Sequence, residues 1–164
     1  MAIWQFTFYW VPRDAVEKLH GADALVLASF APVDIETWDE NAETPNYWLG
    51  RNPKSYGPAI EALLPSRKSW SADALMFGDE EGDGVELWDD DVRLRLDIRQ
   101  FNEPLARALV SLAARDDLKL AMGQTGRLIP PTYDKLAREI SNSLALKFAL
   151  DPVGTLRMIG REQQ

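Results

Sequence analysis

The chain contains no cysteine and a single histidine, His20. Without cysteine there are no disulfides, no thiolate chemistry and no cysteine-ligated zinc or iron–sulfur centre. His20 falls at the predicted end of a short helix, where a surface or helix-terminal role is the simplest account. A metal site or a Ser–His system would need partners that the sequence does not visibly supply. Ser141 and Ser143 flank Asn142 inside a helical pattern, with nothing like a nucleophile elbow around them. Apolar runs of the ~20 residues needed to span a bilayer are missing too. The opening MAIWQFTFYWVPRD has no basic region ahead of its apolar residues and no small-residue cleavage site. It reads as a first strand rather than a signal peptide, and the expected location is cytoplasmic.

Positive charge is scarce as well. Lys and Arg number 18 against 26 Asp and Glu, for a net charge of -8. That balance argues against a free-standing nucleic-acid binder and against adsorption to anionic lipid, so neither nucleic acid nor membrane is an expected partner. Arg51, Lys54, Arg67 and Lys68 form only a dispersed basic zone. Gly123 and Gly126 match neither dinucleotide nor P-loop spacing, and no cofactor is expected. The hydrophobic fraction is 46%, which places the chain among ordinary globular proteins, and 164 residues make one domain the expectation.

The densest signal is the run from Asp79 to Asp91, which holds eight carboxylates and no Lys or Arg. They are Asp79, Glu80, Glu81, Asp83, Glu86, Asp89, Asp90 and Asp91, and Val85, Leu87 and Trp88 lie among them. The apolar members tie the run to a strand that must pack, so it differs from a solvated acidic tail. An acidic surface fixed to a sheet suits recognition of a basic partner. A calcium loop is the competing reading. Asp79, Glu81, Asp83 and Gly84 sit at positions 1, 3, 5 and 6 of the loop spacing and Asp90 at position 12. Glu at position 3, Glu86 at position 8 and the short Asp90 spoil the match.

Periodicity predicts an α+β domain with a mainly antiparallel sheet of about five strands. Trp4, Phe6, Phe8 and Trp10 share one face of a first strand. A helix runs from Pro12 to about Leu19, and another over 58–64. Residues 70–77, 85–88 and 92–99 form a meander with one solvated face. In the last of these Val92, Leu94, Leu96 and Ile98 point one way, and Arg93, Arg95, Asp97 and Arg99 the other. Asn102 caps a helix to about Arg115, 118–122 is a further strand, and a Gly/Pro-rich loop reaches Pro131. Thr132 caps one long helix through about residue 149, followed by a short helix with Val153, Leu156 and Ile159. The helices over 102–115 and 133–149 cover one face of the sheet. Residues 31–56 are irregular yet hold Trp38, Tyr47, Trp48 and Tyr56, which serve either packing or a partner surface.

Several elements together resemble the small acidic α+β immunity proteins of bacterial polymorphic toxin systems, the immunity protein 52 family in particular. They are the WQFTFYW strand, Tyr47-Trp48-Leu49-Gly50, Lys68-Ser69-Trp70-Ser71, Leu96-Asp97-Ile98-Arg99 and the segment from Ser143 to Pro152. The resemblance implies a non-enzymatic inhibitor that binds a cognate toxin C-terminal domain, without cofactor. The resemblance does not locate the contact site; from charge and aromatic content, the expected contact residues are the acidic run, Trp88 and the aromatics Trp38, Tyr47 and Trp48. The alternative is a small enzyme or ligand-binding protein. Its pocket would be lined by the 38–56 aromatics, with Arg95, Asp97 and Arg99 supplying polar groups.

Overall fold

Large apolar side chains at alternate positions favour an extended chain over Gln5–Pro12, which forms strand β1. The structure, a computed structural model, describes residues 2–30 and 44–162. Around β1 a seven-stranded antiparallel sheet assembles in the order β2-β3-β4-β5-β1-β6-β7. The other strands are β2 (Ser66–Arg67), β3 (Leu75–Gly78), β4 (Gly84–Leu87), β5 (Val92–Asp97), β6 (Leu118–Met122) and β7 (Leu128–Ile129). The fold is α+β, as the periodicity predicts. The strands beyond the expected five are the two-residue edges β2 and β7, too short to produce an alternation in sequence.

Register sorts the side chains onto two faces. Phe8 lies opposite Leu94 and Met122, and Trp10 opposite Leu120, while Leu94 meets Val85. This apolar face is buried under helices as part of one hydrophobic core. The helices are α1 (Arg13–His20), α2 (Gly57–Glu61), α3 (Glu103–Arg115), α4 (Tyr133–Ser141), α5 (Leu144–Leu150) and α6 (Pro152–Glu162). At Gly57 in α2 an added Cβ would lie 3.4 Å from Leu75 Cδ1, so the first turn of that helix rests directly on β3. Helix α3 packs on β6 and buries Leu105, Leu109, Val110 and Ala113, and Asn102 Oδ1 caps it by accepting from Leu105 N at 3.1 Å.

Two sequence expectations need correction. The single helix over 133–149 is two. Asn142 ends α4, and Ser143 starts α5 by accepting from Leu146 N at 3.1 Å, whereas Thr132 makes no side-chain cap bond. Serine and asparagine compete for the backbone inside a helix, and the Ser141-Asn142-Ser143 run uses that competition to turn the chain. The strand expected over 70–77 begins only at Leu75, because Ser69 and Ser71 bind nearby backbone groups and hold 69–73 in turns. The last helix forms as expected, and its Val153 and Leu156 are exposed. No helix among the described residues is long and apolar enough to cross a membrane.

Candidate functional site

The second face of the sheet departs furthest from expectation. Tyr9 lies opposite Arg93, which lies opposite Glu86, and Thr7 lies opposite Arg95. The alternation VRLRLD suggests a solvated polar face, but Gln5, Thr7, Glu86 and Asp97 are all buried. At one end Tyr9 meets Phe30 in a tilted pair at 4.5 Å between ring centroids, and Phe30 stacks on Tyr47 at 5.8 Å. At the other end the β3–β4 turn folds over the face. Gln5 Nε2 donates to Glu80 O at 2.9 Å and Trp4 Nε1 donates to Glu81 O at 3.1 Å.

Glu86 is 3% exposed and sits at the centre of this face. Its carboxylate lies 3.3 Å from Arg95 Nη1, 3.8 Å from Arg93 Nη1 and 4.0 Å from Arg67 Nη2, and it accepts from Trp88 Nε1 at 3.2 Å. Three guanidiniums therefore share one carboxylate. Burial holds the Arg95 guanidinium below its ordinary pKa, and the charges of Arg67 and Arg93 push the same way against Glu86. Glu86 is thus an internal counter-ion, a correction to its expected place on a partner surface.

The acidic run is not one patch. Asp79–Asp83 forms the β3–β4 turn and Trp88–Asp91 the β4–β5 turn, at opposite ends of β4. A four-residue strand at about 3.3 Å per residue sets the two turns roughly 13 Å apart. The calcium spacing fails for the same reason, since Asp79 and Asp90 belong to different turns. Asp79 Oδ1 instead accepts from Glu81 N at 2.8 Å, and Asp83 Oδ1 from Asp97 N at 2.8 Å. Burial pushes the Asp83 carboxyl up, while the Asp97 amide opposes the shift. Among the described residues no cluster of His, Cys, Asp or Glu could hold a metal ion.

Glu80, Glu81, Asp89 and Asp90 are exposed, as is Asp79. Asp89 is partly engaged, with Oδ1 2.8 Å from Lys54 Nζ. Asp91 is half-buried, and its desolvation pushes its carboxyl up to about 6, with Arg93 opposing. Trp88 is half-buried, and Trp70 leans on it at a tilt, 5.2 Å between centroids, while remaining 72% exposed. Trp70, expected at the start of a strand, instead stands in the turn before β3. The flanking serines were its signal, because Ser side chains that bind local backbone mark a turn.

Tyr47 and Trp48 are each 3% exposed, which corrects their reading as partner contacts. Trp48 Nε1 donates to Trp10 O at 3.2 Å, and Tyr47 OH lies 2.9 Å from His20 Nε2. Trp38 lies outside the described residues. Two of the three polar residues of the pocket alternative, Asp97 and Arg99, are engaged with each other. Arg99 binds Asp97 through Nε at 3.0 Å and Nη2 at 2.8 Å and lies over the Trp4 ring at 4.2 Å. That pairing holds the Asp97 carboxyl below its usual range, while Arg95 turns away to Glu86.

Comparison with protein-family models, curated proteins and solved structures finds no match to this chain.

Proposed function

We propose that the protein is a non-enzymatic binding protein whose partner presents a basic surface. The observation that carries this reading is the pair Trp70–Trp88, an exposed indole braced on a second one, beside the exposed carboxylates of Asp89 and Asp90. Rigid aromatic area with few rotatable bonds is what binding hot spots use, and a rim of one charge sign steers a complementary partner. The sequence resemblance supplies the biological class, an immunity protein that holds a cognate toxin C-terminal domain in the producing cell. The acidic β3–β4 turn, with Glu80 and Glu81 exposed, gives a second negative zone at the far end of β4.

The test is calorimetry of this protein against the C-terminal domain of a large multidomain gene encoded immediately upstream, together with a growth assay of that domain's toxicity. One-to-one binding that abolishes toxicity, weakened by Trp70→Ala, supports the proposal. Undetectable heat with a folded domain, or binding indifferent to Trp70→Ala, rejects the assigned surface.

A further inference from the structure

The arginine cluster is a different feature from the Trp70–Trp88 surface, and it has its own chemistry. Arg67, Arg93 and Arg95 converge from β2 and β5 on the single carboxylate of Glu86. The side chain of Arg95 is 11% exposed. Arg95 Nε and Nη2, Arg67 Nε and Arg93 Nε are buried and find no acceptor among the described residues. Guanidinium groups removed from water need acceptors, and a buried excess of one charge sign is costly unless it is paired. Two further observations describe their surroundings. The strand residue facing Arg95 is Gly84, where an added Cβ would come within 2.9 Å of Arg95 Nη2. The third guanidinium is the most open, with Arg93 42% exposed, so the cluster is reached from its side.

We infer that Arg67, Arg93 and Arg95 form a binding site for a small oxyanion, a phosphate or carboxylate group, held by the guanidinium N–H groups that Glu86 does not engage. The planar fork of arginine matches the oxygen spacing of both groups, and charge-assisted bonds to an oxyanion are about twice as strong as neutral ones. Glu86 in this arrangement orients the three arginines, and the oxyanion neutralises the charge that Glu86 leaves over.

Thermal unfolding of the full chain is followed against inorganic phosphate, acetate and chloride at equal ionic strength. A saturable rise in Tm with phosphate or acetate that chloride does not reproduce is expected, and the more effective anion identifies the group. Arg95→Gln is expected to weaken the response at least roughly tenfold, equivalent to about 1.4 kcal/mol. Equal effects of all three salts, or an unchanged response in Arg95→Gln, overturn the site. If that variant does not fold, the Nε–H resonances of the unaltered protein decide. Selective movement of the Arg67, Arg93 and Arg95 signals on adding phosphate or acetate supports the site. Signals that stay in place with both anions overturn it.

Discussion

Arg95 lays its guanidinium over Gly84, the residue opposite it on β4, so that a methyl group at that position would stand 2.9 Å from Arg95 Nη2. The same methyl would press on Phe77 O at 3.3 Å and Asp79 O at 3.2 Å, and backbone yields less readily than a long side chain. Gly84→Ala is therefore expected to destabilise the protein by about 1–3 kcal/mol, the usual range for overpacking. Urea unfolding measures this, and a midpoint equal to wild type would show that β4 accommodates the methyl.

Glu86→Gln removes the one carboxylate among the described residues that lies within 4.0 Å of all three guanidiniums, and leaves nearly the same volume. Breaking one side of a buried ionic group costs about 3–5 kcal/mol, because the remaining charges stay desolvated. Loss of that size in urea unfolding is expected. A change below ~1 kcal/mol would mean that water reaches the cluster freely.

Asp91 gives the stability a pH dependence of definite sign. Its carboxyl is pushed up to about 6 by burial, against ~3.9 in an unfolded chain. Between those values the folded state keeps a proton that the unfolded state has lost. The Asp91 contribution to stability therefore increases as pH falls from about 6 to about 4, and above 6 the buried charge costs stability. Asp91→Asn is expected to be more stable than wild type at pH 7.5, with the difference closing toward pH 4. A difference that is constant across this range would rule out Asp91 as its source.

Ser143 and Thr132 occupy equivalent places before α5 and α4, but only Ser143 accepts a capping bond. Ser143→Ala is expected to cost about 1 kcal/mol. Thr132→Ala, at an exposed position, should stay within ~0.5 kcal/mol. Reversal of that order in thermal unfolding would place the critical cap at the start of α4.

Trp70 and Trp48 should separate binding from folding. Trp70→Ala is expected to leave stability within ~0.5 kcal/mol and to weaken partner binding by at least ~2 kcal/mol. Trp48→Ala, which removes a buried ring, is expected to cost about 3 kcal/mol or more of stability. Calorimetric binding and urea midpoints on both variants give the comparison.

The sequence made some of this legible for clear physical reasons. In β5 the alternation is unbroken, so Val92, Leu94 and Leu96 could be assigned to the core, and all are buried. Asn102 and the leucines of α3 likewise specify their helix through local chemistry. What stayed hidden depends on partners distant in the chain. Alternation tells which side chains share a face, but not that Phe30, Tyr47 and the β3–β4 turn close over the polar one. Nor can a run of carboxylates announce that a four-residue strand divides it, or that Glu86 turns inward to arginines from β2 and β5. The division of α4 from α5 was written in Ser141-Asn142-Ser143, but a four-residue apolar repeat that continues across the break concealed it.

The sheet also ends in a way that limits how this protein can associate. Among the described residues, both margins are strands of two residues. The outer side of β7 is already occupied, with Leu128 N donating to Leu25 O at 2.8 Å and Val26 bridging Arg127. Pro130 and Pro131 follow at once and withhold their amide donors. A visiting strand finds almost no backbone to copy, which guards against edge-to-edge polymerisation. On the partner-binding reading proposed above, recognition falls to side chains, whose specificity can be rewritten one residue at a time while the sheet stays as it is.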